Sequence, residues 1–277
     1  LLILNQNNNA FLSEYCKTES TFCPLYKGSY SHKHVLWTAQ FIEDNMAVFR
    51  NLVGSNFADL TDKNNLINLA AGHHLSEEQI SDLGRLIKKA DCLSSGMDRS
   101  SDVAMKDAQD EEETGWDSFK KKRMVSILET IELSDVERNS KTNWKHMPIE
   151  KLSLTQDYFP KEKFEEEADY LSLWNDFVGE FKFIQANTYK AFAETFLSLL
   201  QKYTSCVPAS TINFPDVSLY DHLKTTAALS VCLYDYEKGE KAGDEPFLLV
   251  GADFSGIEPY IYQIVSKYAG KNLKGRS

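Results

Sequence analysis

Gly72-His73-His74-Leu75-Ser76-Glu77-Glu78-Gln79-Ile80, running on to Ala90-Asp91-Cys92-Leu93-Ser94-Ser95-Gly96, is the stretch on which the reading of this chain turns. The spacing predicts a helix over residues 66–72 that ends at the paired histidines. Ser76 with Gln79 three residues on has the form of a capping box, so a second helix is expected to start at Ser76. Its apolar face is Ile80, Leu83, Ile87, Ala90 and Ser94, and Gly96 closes it. Asp91 projects close to that stripe, where an ionised carboxylate is costly unless it is paired or bound to a cation.

Upstream, residues 31–53 read as one firm helix, with Ser31 as N-cap and Val35, Ala39, Ile42, Met46, Phe49 and Val53 at helical spacing. His32 and His34 lie at its start. Singly, each histidine reads as a surface or hydrogen-bonded side chain. As a series on three successive helices, ending in a carboxylate, they form a donor set suited to a hard-to-borderline divalent ion.

Downstream, Asp110-Glu111-Glu112-Glu113 sits among small polar residues and reads as a solvated loop over residues 98–117. Lys120-Lys121-Lys122-Arg123 follows and is read as a soluble stretch neutralised by that acidic run, in preference to an RNA-backbone contact. Residues 124–133 form either a strand or a short helix. Helical spacing returns over 163–203, with Trp174, Phe177, Phe181, Ile184, Phe192, Phe196 and Leu199 on buried stripes. Ser218 caps a helix running to about residue 234, with Asp221 in its first turn. Phe247-Leu248-Leu249-Val250, between Pro246 and Gly251, reads as a buried strand followed by a helix over 257–268. Between them, Gly251-Ala252-Asp253-Phe254-Ser255-Gly256 offers a carboxylate for a metal and backbone N–H groups for a phosphate.

The totals are those of a globular, cytoplasmic protein. Of 277 residues, 42% are hydrophobic and 26% charged, which is far from disorder-prone composition. No apolar run approaches bilayer-crossing length, so no membrane partner is expected. Leu1-Leu2-Ile3-Leu4 is too short for a signal-peptide core. Five cysteines, an odd number at scattered positions, fit reduced thiols better than a disulfide framework. The net charge of −11 confines any nucleic-acid contact to a local patch or to one shared with partner subunits.

Taken together, Tyr30-Ser31-His32, Gly72-His73-His74, Ala90-Asp91-Cys92-Leu93-Ser94-Ser95-Gly96, Asp216-Val217-Ser218-Leu219-Tyr220-Asp221-His222 and Ala252-Asp253-Phe254-Ser255-Gly256-Ile257 resemble, in order, one family. It is the large subunit of type III CRISPR effector complexes, the HD/palm protein, most closely in its III-A (Csm) form. The resemblance spans about residues 30–277. It implies a mainly α fold: an HD-like helical domain, then the first strand and helix of an incomplete α/β palm of ferredoxin-like, nucleotidyl-cyclase-like type. The expected divisions are 1–115 for the HD-like domain, 116–160 for a linker, 161–240 for a helical continuation and 245–277 for the start of the palm.

The resemblance also implies two activities. An HD domain cuts single-stranded DNA with a divalent metal (Mn, Ni or Mg), and a pair of palms converts ATP into cyclic oligoadenylates. Both respond to guide RNA paired with target RNA, inside a prokaryotic complex with other Csm subunits. Carried over by motif, His32, His73, His74 and Asp91 form the metal cluster, with His34 as the alternative to His32. His73, His74 and Asp91 take the catalytic role, and Asp253, Ser255 and Gly256 the nucleotide-binding one. Asp221 and His222 match a family segment, with capping and packing as their expected roles. The family's His-Asp dyad and its Gly-Gly-Asp-Asp loop are not in this sequence. The competing expectation is therefore a catalytically silent docking domain of the same complex. A third reading, a free-standing HD phosphohydrolase for small nucleotides, predicts a closed fold ending near residue 235.

Overall fold

The computed structural model describes residues 18–53, 61–95, 122–130, 144–210, 215–239 and 246–252, and it is mainly helical. Two compact units divide at Glu240 and Lys241. Within the first, α1 (Glu19–Phe22) leads into a hairpin of β1 (Leu25–Tyr26) and β2 (Ser29–Tyr30), paired antiparallel with Leu25 opposite Tyr30. Lys27 (φ 46°) and Gly28 (φ 88°) occupy its two-residue turn, the left-handed pair that such tight hairpins need. There follow α2 (His34–Asp44), α3 (Met46–Val53), α4 (Leu66–Ala71), α5 (Asp82–Ser95), α6 (Ile127–Thr130), α7 (Tyr170–Phe181), α8 (Tyr189–Thr204) and α9 (Leu219–Lys238).

The main core gathers residues from Phe22 to Val207. Its centre is aromatic: the Phe181 ring lies 4.9 Å from Phe41 and 5.3 Å from both Phe49 and Phe196, mostly at tilted or edge-on angles. Such arrangements set ring edges against ring faces and add to the gain from burial. The stripe expected on α7 and α8 packs into this cluster, with Phe177, Phe181, Phe192 and Leu199 buried and Trp174, Ile184 and Phe196 against them. Glu180 ties the two helices together, accepting from Lys202 Nζ at 2.7 Å and Tyr203 Oη at 2.7 Å. A second, smaller cluster of Leu86, Ala90 and Leu233, flanked by Leu83 and Leu229, joins α5 to α9.

Local signals set several boundaries differently from the spacing. The helix expected over 31–53 is two helices, parted at Asn45, whose buried side-chain amide turns back to the Phe41 carbonyl at 2.8 Å. Ser31 does not cap it; the first helical residue is His34. Ser76 and Gln79 do bond, Oγ to Oε1 at 2.9 Å, but the segment they close is a turn. The helix starts at Asp82, where Ser81 Oγ accepts from Gly84 N at 3.1 Å. The 163–203 stretch also divides, with Asp169 capping α7 and Thr188 capping α8. Residues 124–126 run extended, with a bridge from Val125 to His146, and then enter α6. The cap expected at Ser218 is present: Oγ accepts from Asp221 N at 3.0 Å and donates to Asp221 Oδ2 at 2.7 Å.

In the second unit, Phe247-Leu248-Leu249-Val250 is not a buried strand. It has no strand pairing, and Leu248 and Leu249 are 88% and 98% exposed. A buried strand needs a ladder partner and covered faces; neither is present among the described residues. The expected helix over 257–268, together with Asp253, Ser255 and Gly256, lies outside the described residues. Also among the described residues, no helix is long and apolar enough to cross a membrane.

Candidate metal centre

Two short segments deliver four imidazoles to one place. The first is the exit from the hairpin. Ser31 N donates to the Pro24 carbonyl at 3.1 Å, and His32 then adopts a left-handed backbone (φ 56°). That conformation costs a non-glycine residue energy and recurs where function fixes the chain. The ring is pinned by a 2.9 Å hydrogen bond between Ser31 Oγ and His32 Nδ1. His34 follows in the first turn of α2.

The second segment is the end of α4. Asn65 caps the start of that helix, and Gly72 ends it with its N–H on the Asn68 carbonyl at 2.9 Å. A Cβ at Gly72 would stand 2.5 Å from that same oxygen, so only glycine allows so tight an exit. His73 and His74 come directly out of this turn.

His34 Nε2 and His74 Nε2 lie 3.0 Å apart. The His32 ring centroid is 4.2 Å from that of His74, and the His73 centroid is 4.1 Å from it. His73 Nδ1 donates to the Ala70 carbonyl at 2.9 Å, which leaves Nε2 as the nitrogen with a free lone pair. One nitrogen each from His34, His73 and His74 falls within 4.8 Å of the other two. Metal–imidazole bonds run ~2.0–2.1 Å, so nitrogens sharing an ion stand up to about 4 Å apart, and small side-chain shifts close the difference. Burial holds the His73 and His74 rings below the ordinary imidazole range, and at His74 the three neighbouring histidines add to the effect. Both rings are therefore neutral and able to ligate at physiological pH. The donor set fits a divalent ion.

The charge of Asp91 acts on both His73 and His74. Burial pushes its carboxyl up. A hydrogen bond from His222 and the nearby imidazoles outweigh this and hold it below the usual carboxylate range. The bond runs from His222 Nε2 to Asp91 Oδ1 at 3.1 Å, joining α9 to α5. His222 was expected only to pack; local pattern cannot show a pairing across 131 residues. Of the expected metal residues, His73 and His74 contribute to the triple, His34 supplies its third nitrogen, His32 packs on His74, and Asp91 is not among the three converging groups.

The sequence profile of Csm1 subunit domain B matches residues 246–277. Two curated relatives carry the name CRISPR system single-strand-specific deoxyribonuclease Cas10/Csm1 (subtype III-A). The Methanocaldococcus jannaschii protein is 29% identical over 256 residues, 80% of this chain and 31% of that protein. The Streptococcus thermophilus protein is 29% identical over 248 residues, 82% of this chain and 32% of that protein. The crystal structure of Csm1 from T. onnurineus covers 96% of this chain and 33% of its own, at 17% identity and a TM-score of 0.49. The class that the names of these curated relatives give is the Cas10 proteins of CRISPR systems, and this chain is similar to them. The particular protein it resembles is Csm1, the subtype III-A form. The chain spans about a third of the length of the curated relatives it matches.

Proposed function

We propose that this chain provides the metal-dependent, DNA-cleaving body of a Cas10/Csm1-type large subunit, together with the beginning of its first palm domain. The observation that carries the reading is the meeting of His34, His73 and His74, whose nitrogens come from segments forty residues apart. In this reading residues 1–115 are the HD-like domain, 161–240 its helical continuation, 116–160 the connection between them, and 245–277 the palm start.

His34, His73 and His74 would hold the ion, with His32 closing one side and Asp91 supplying negative charge. A divalent ion there supplies Lewis-acid activation of water and of a phosphodiester oxygen. The chain's own part is to keep its imidazoles neutral by burial and to fix the His73 tautomer through the Ala70 carbonyl. Asp91, held ionised, offsets the cation's charge. The net charge of −11 means that single-stranded DNA reaches this site through a local path or along partner subunits.

In the palm segment, Asp253, Ser255 and Gly256 would face the phosphates of ATP, the substrate for cyclic oligoadenylates. Guide RNA, target RNA and the other Csm subunits are the proposed partners. The named activity of the curated relatives and the match to domain B over 246–277 support this assignment.

The test joins calorimetry with Mn²⁺ or Ni²⁺ to cleavage of labelled single-stranded DNA. Binding with cleavage, both lost in Asp91→Ala and His74→Ala, is the expected result. A chain that retains DNA uncut and takes up no metal is instead a docking domain, and the nuclease reading is then abandoned.

A further inference from the structure

His222 enters the fold on α9, four residues after the Ser218 cap, where it meets the face of α5 that carries Asp91 and Ser94. Those two residues are three apart and so stand one above the other on that helix. Between them they hold both edges of the imidazole. Nε2 donates to Asp91 Oδ1 at 3.1 Å, while Ser94 Oγ lies 3.0 Å from Nδ1 and 3.1 Å from the His222 carbonyl. Ser94 is 3% exposed, and the side chains of His222 and Asp91 are 16% and 19% exposed. The same two helices also share the apolar cluster of Ala90, Leu86 and Leu233. One turn further along α9, the buried Thr226 Oγ1 has no hydrogen-bond partner, so this face of the helix is polar where a purely packing face would be apolar.

A ring held at both nitrogens has no free rotamer, and the acceptor-only carboxylate fixes Nε2 as a protonated nitrogen. The ring therefore fixes the carboxylate it touches, occupying Oδ1 and leaving Oδ2. We propose that His222 is the positioning residue of the metal centre, holding Asp91 so that its negative charge offsets that of a divalent cation at the histidine cluster. The inference rests on the metal reading above and adds to it a residue from outside the histidine segments. It makes α9 part of the site. Outer partners of this kind are worth about 10–100-fold in metal affinity.

The experiment titrates Mn²⁺ into the intact chain by calorimetry and records the visible bands of the Co²⁺-loaded protein, for wild type, His222→Leu, His222→Gln and Ser94→Ala. Circular-dichroism melts establish that each variant is folded. Leucine removes the Nε2 donor and should weaken Mn²⁺ binding about 10–100-fold and shift the Co²⁺ bands. Glutamine returns an N–H close to the same point and should restore affinity to within a few-fold. Ser94→Ala frees the far edge of the ring without cutting the Asp91 bond and should cause a smaller loss in the same direction. If His222→Leu does not fold, Ser94→Ala and His222→Gln decide the matter. Wild-type binding with unchanged affinity in every folded variant overturns the positioning role and leaves the metal reading standing. Absence of Mn²⁺ binding to wild type overturns both.

Discussion

His34 and His74 face each other Nε2 to Nε2 at 3.0 Å, across forty residues of sequence. Two imidazole nitrogens at that distance have two stable arrangements. In one, a single N–H is shared between them; in the other, both lone pairs point at a common cation. Two protonated rings would repel each other at close range, so the pair resists acidification.

Removing either ring of this pair takes away one of the three converging nitrogens, and for a bound ion that costs more than the loss of an outer partner. For His74→Ala or His34→Ala we predict a loss of Mn²⁺ affinity beyond about 100-fold, the upper end of what outer-shell losses cost. His32, which packs on His74 and is not one of the three converging donors, should matter less. Equal losses for His32→Ala and His34→Ala in calorimetry would contradict this ranking.

The metal-free protein should lose stability on mild acidification. His73 and His74 have lowered folded-state values, so below about pH 6.5 the unfolded chain binds protons that the folded chain does not. Stability then rises with pH through this window and levels off above it. Melting temperatures from pH 5 to 8 in the presence of chelator should trace that rise, and His73→Asn with His74→Asn should flatten it. A melting temperature that climbs as pH falls from 7 to 5 is incompatible with two histidines buried neutral.

The aromatic core makes a separate prediction. Phe181 is fully buried among Phe41, Phe49 and Phe196, so Phe181→Ala leaves a cavity and should cost about 3–5 kcal/mol in urea unfolding. Ser218→Ala removes the cap bond to Asp221 N and should cost about 1 kcal/mol. If the two variants cost the same, the core is not where the packing places it.

Thr226 gives a prediction of opposite sign. Its buried hydroxyl oxygen is unpartnered, so Thr226→Val exchanges an unsatisfied polar atom for a methyl group of similar size. The metal-free protein should be stabilised by about 1 kcal/mol. A clear destabilisation in the same urea assay would mean the hydroxyl is engaged in solution.

Side chains that act within a few residues of themselves were legible from sequence. The α7 and α8 stripes follow helical spacing, and Ser218 sits three residues ahead of the N–H it caps. The histidine series was legible as a set, because it depends on residue types at helix ends. The break at Asn45 was not, since Met46 and Phe49 continue the apolar rhythm across it. Nor was the late start of α5: Ser76 and Gln79 satisfy each other within a turn, and Ser81 performs the capping. The choice between His32 and His34 depends on which ring nitrogen meets those of His73 and His74 in space, and the Asp91–His222 bond on tertiary packing. No window of adjacent residues contains either fact. The run Phe247–Val250 has the composition of a strand, but pairing is what makes one.

The bond between Asp91 and His222 also orders events in time. A chain emerging from the ribosome has delivered every residue of the aromatic core by Val207, and domains generally fold as units as synthesis proceeds. At that point the histidines can already have met, while their carboxylate still lacks its partner. Only when α9 follows can that bond form, so the Asp91 carboxylate gains its partner after the body that carries it.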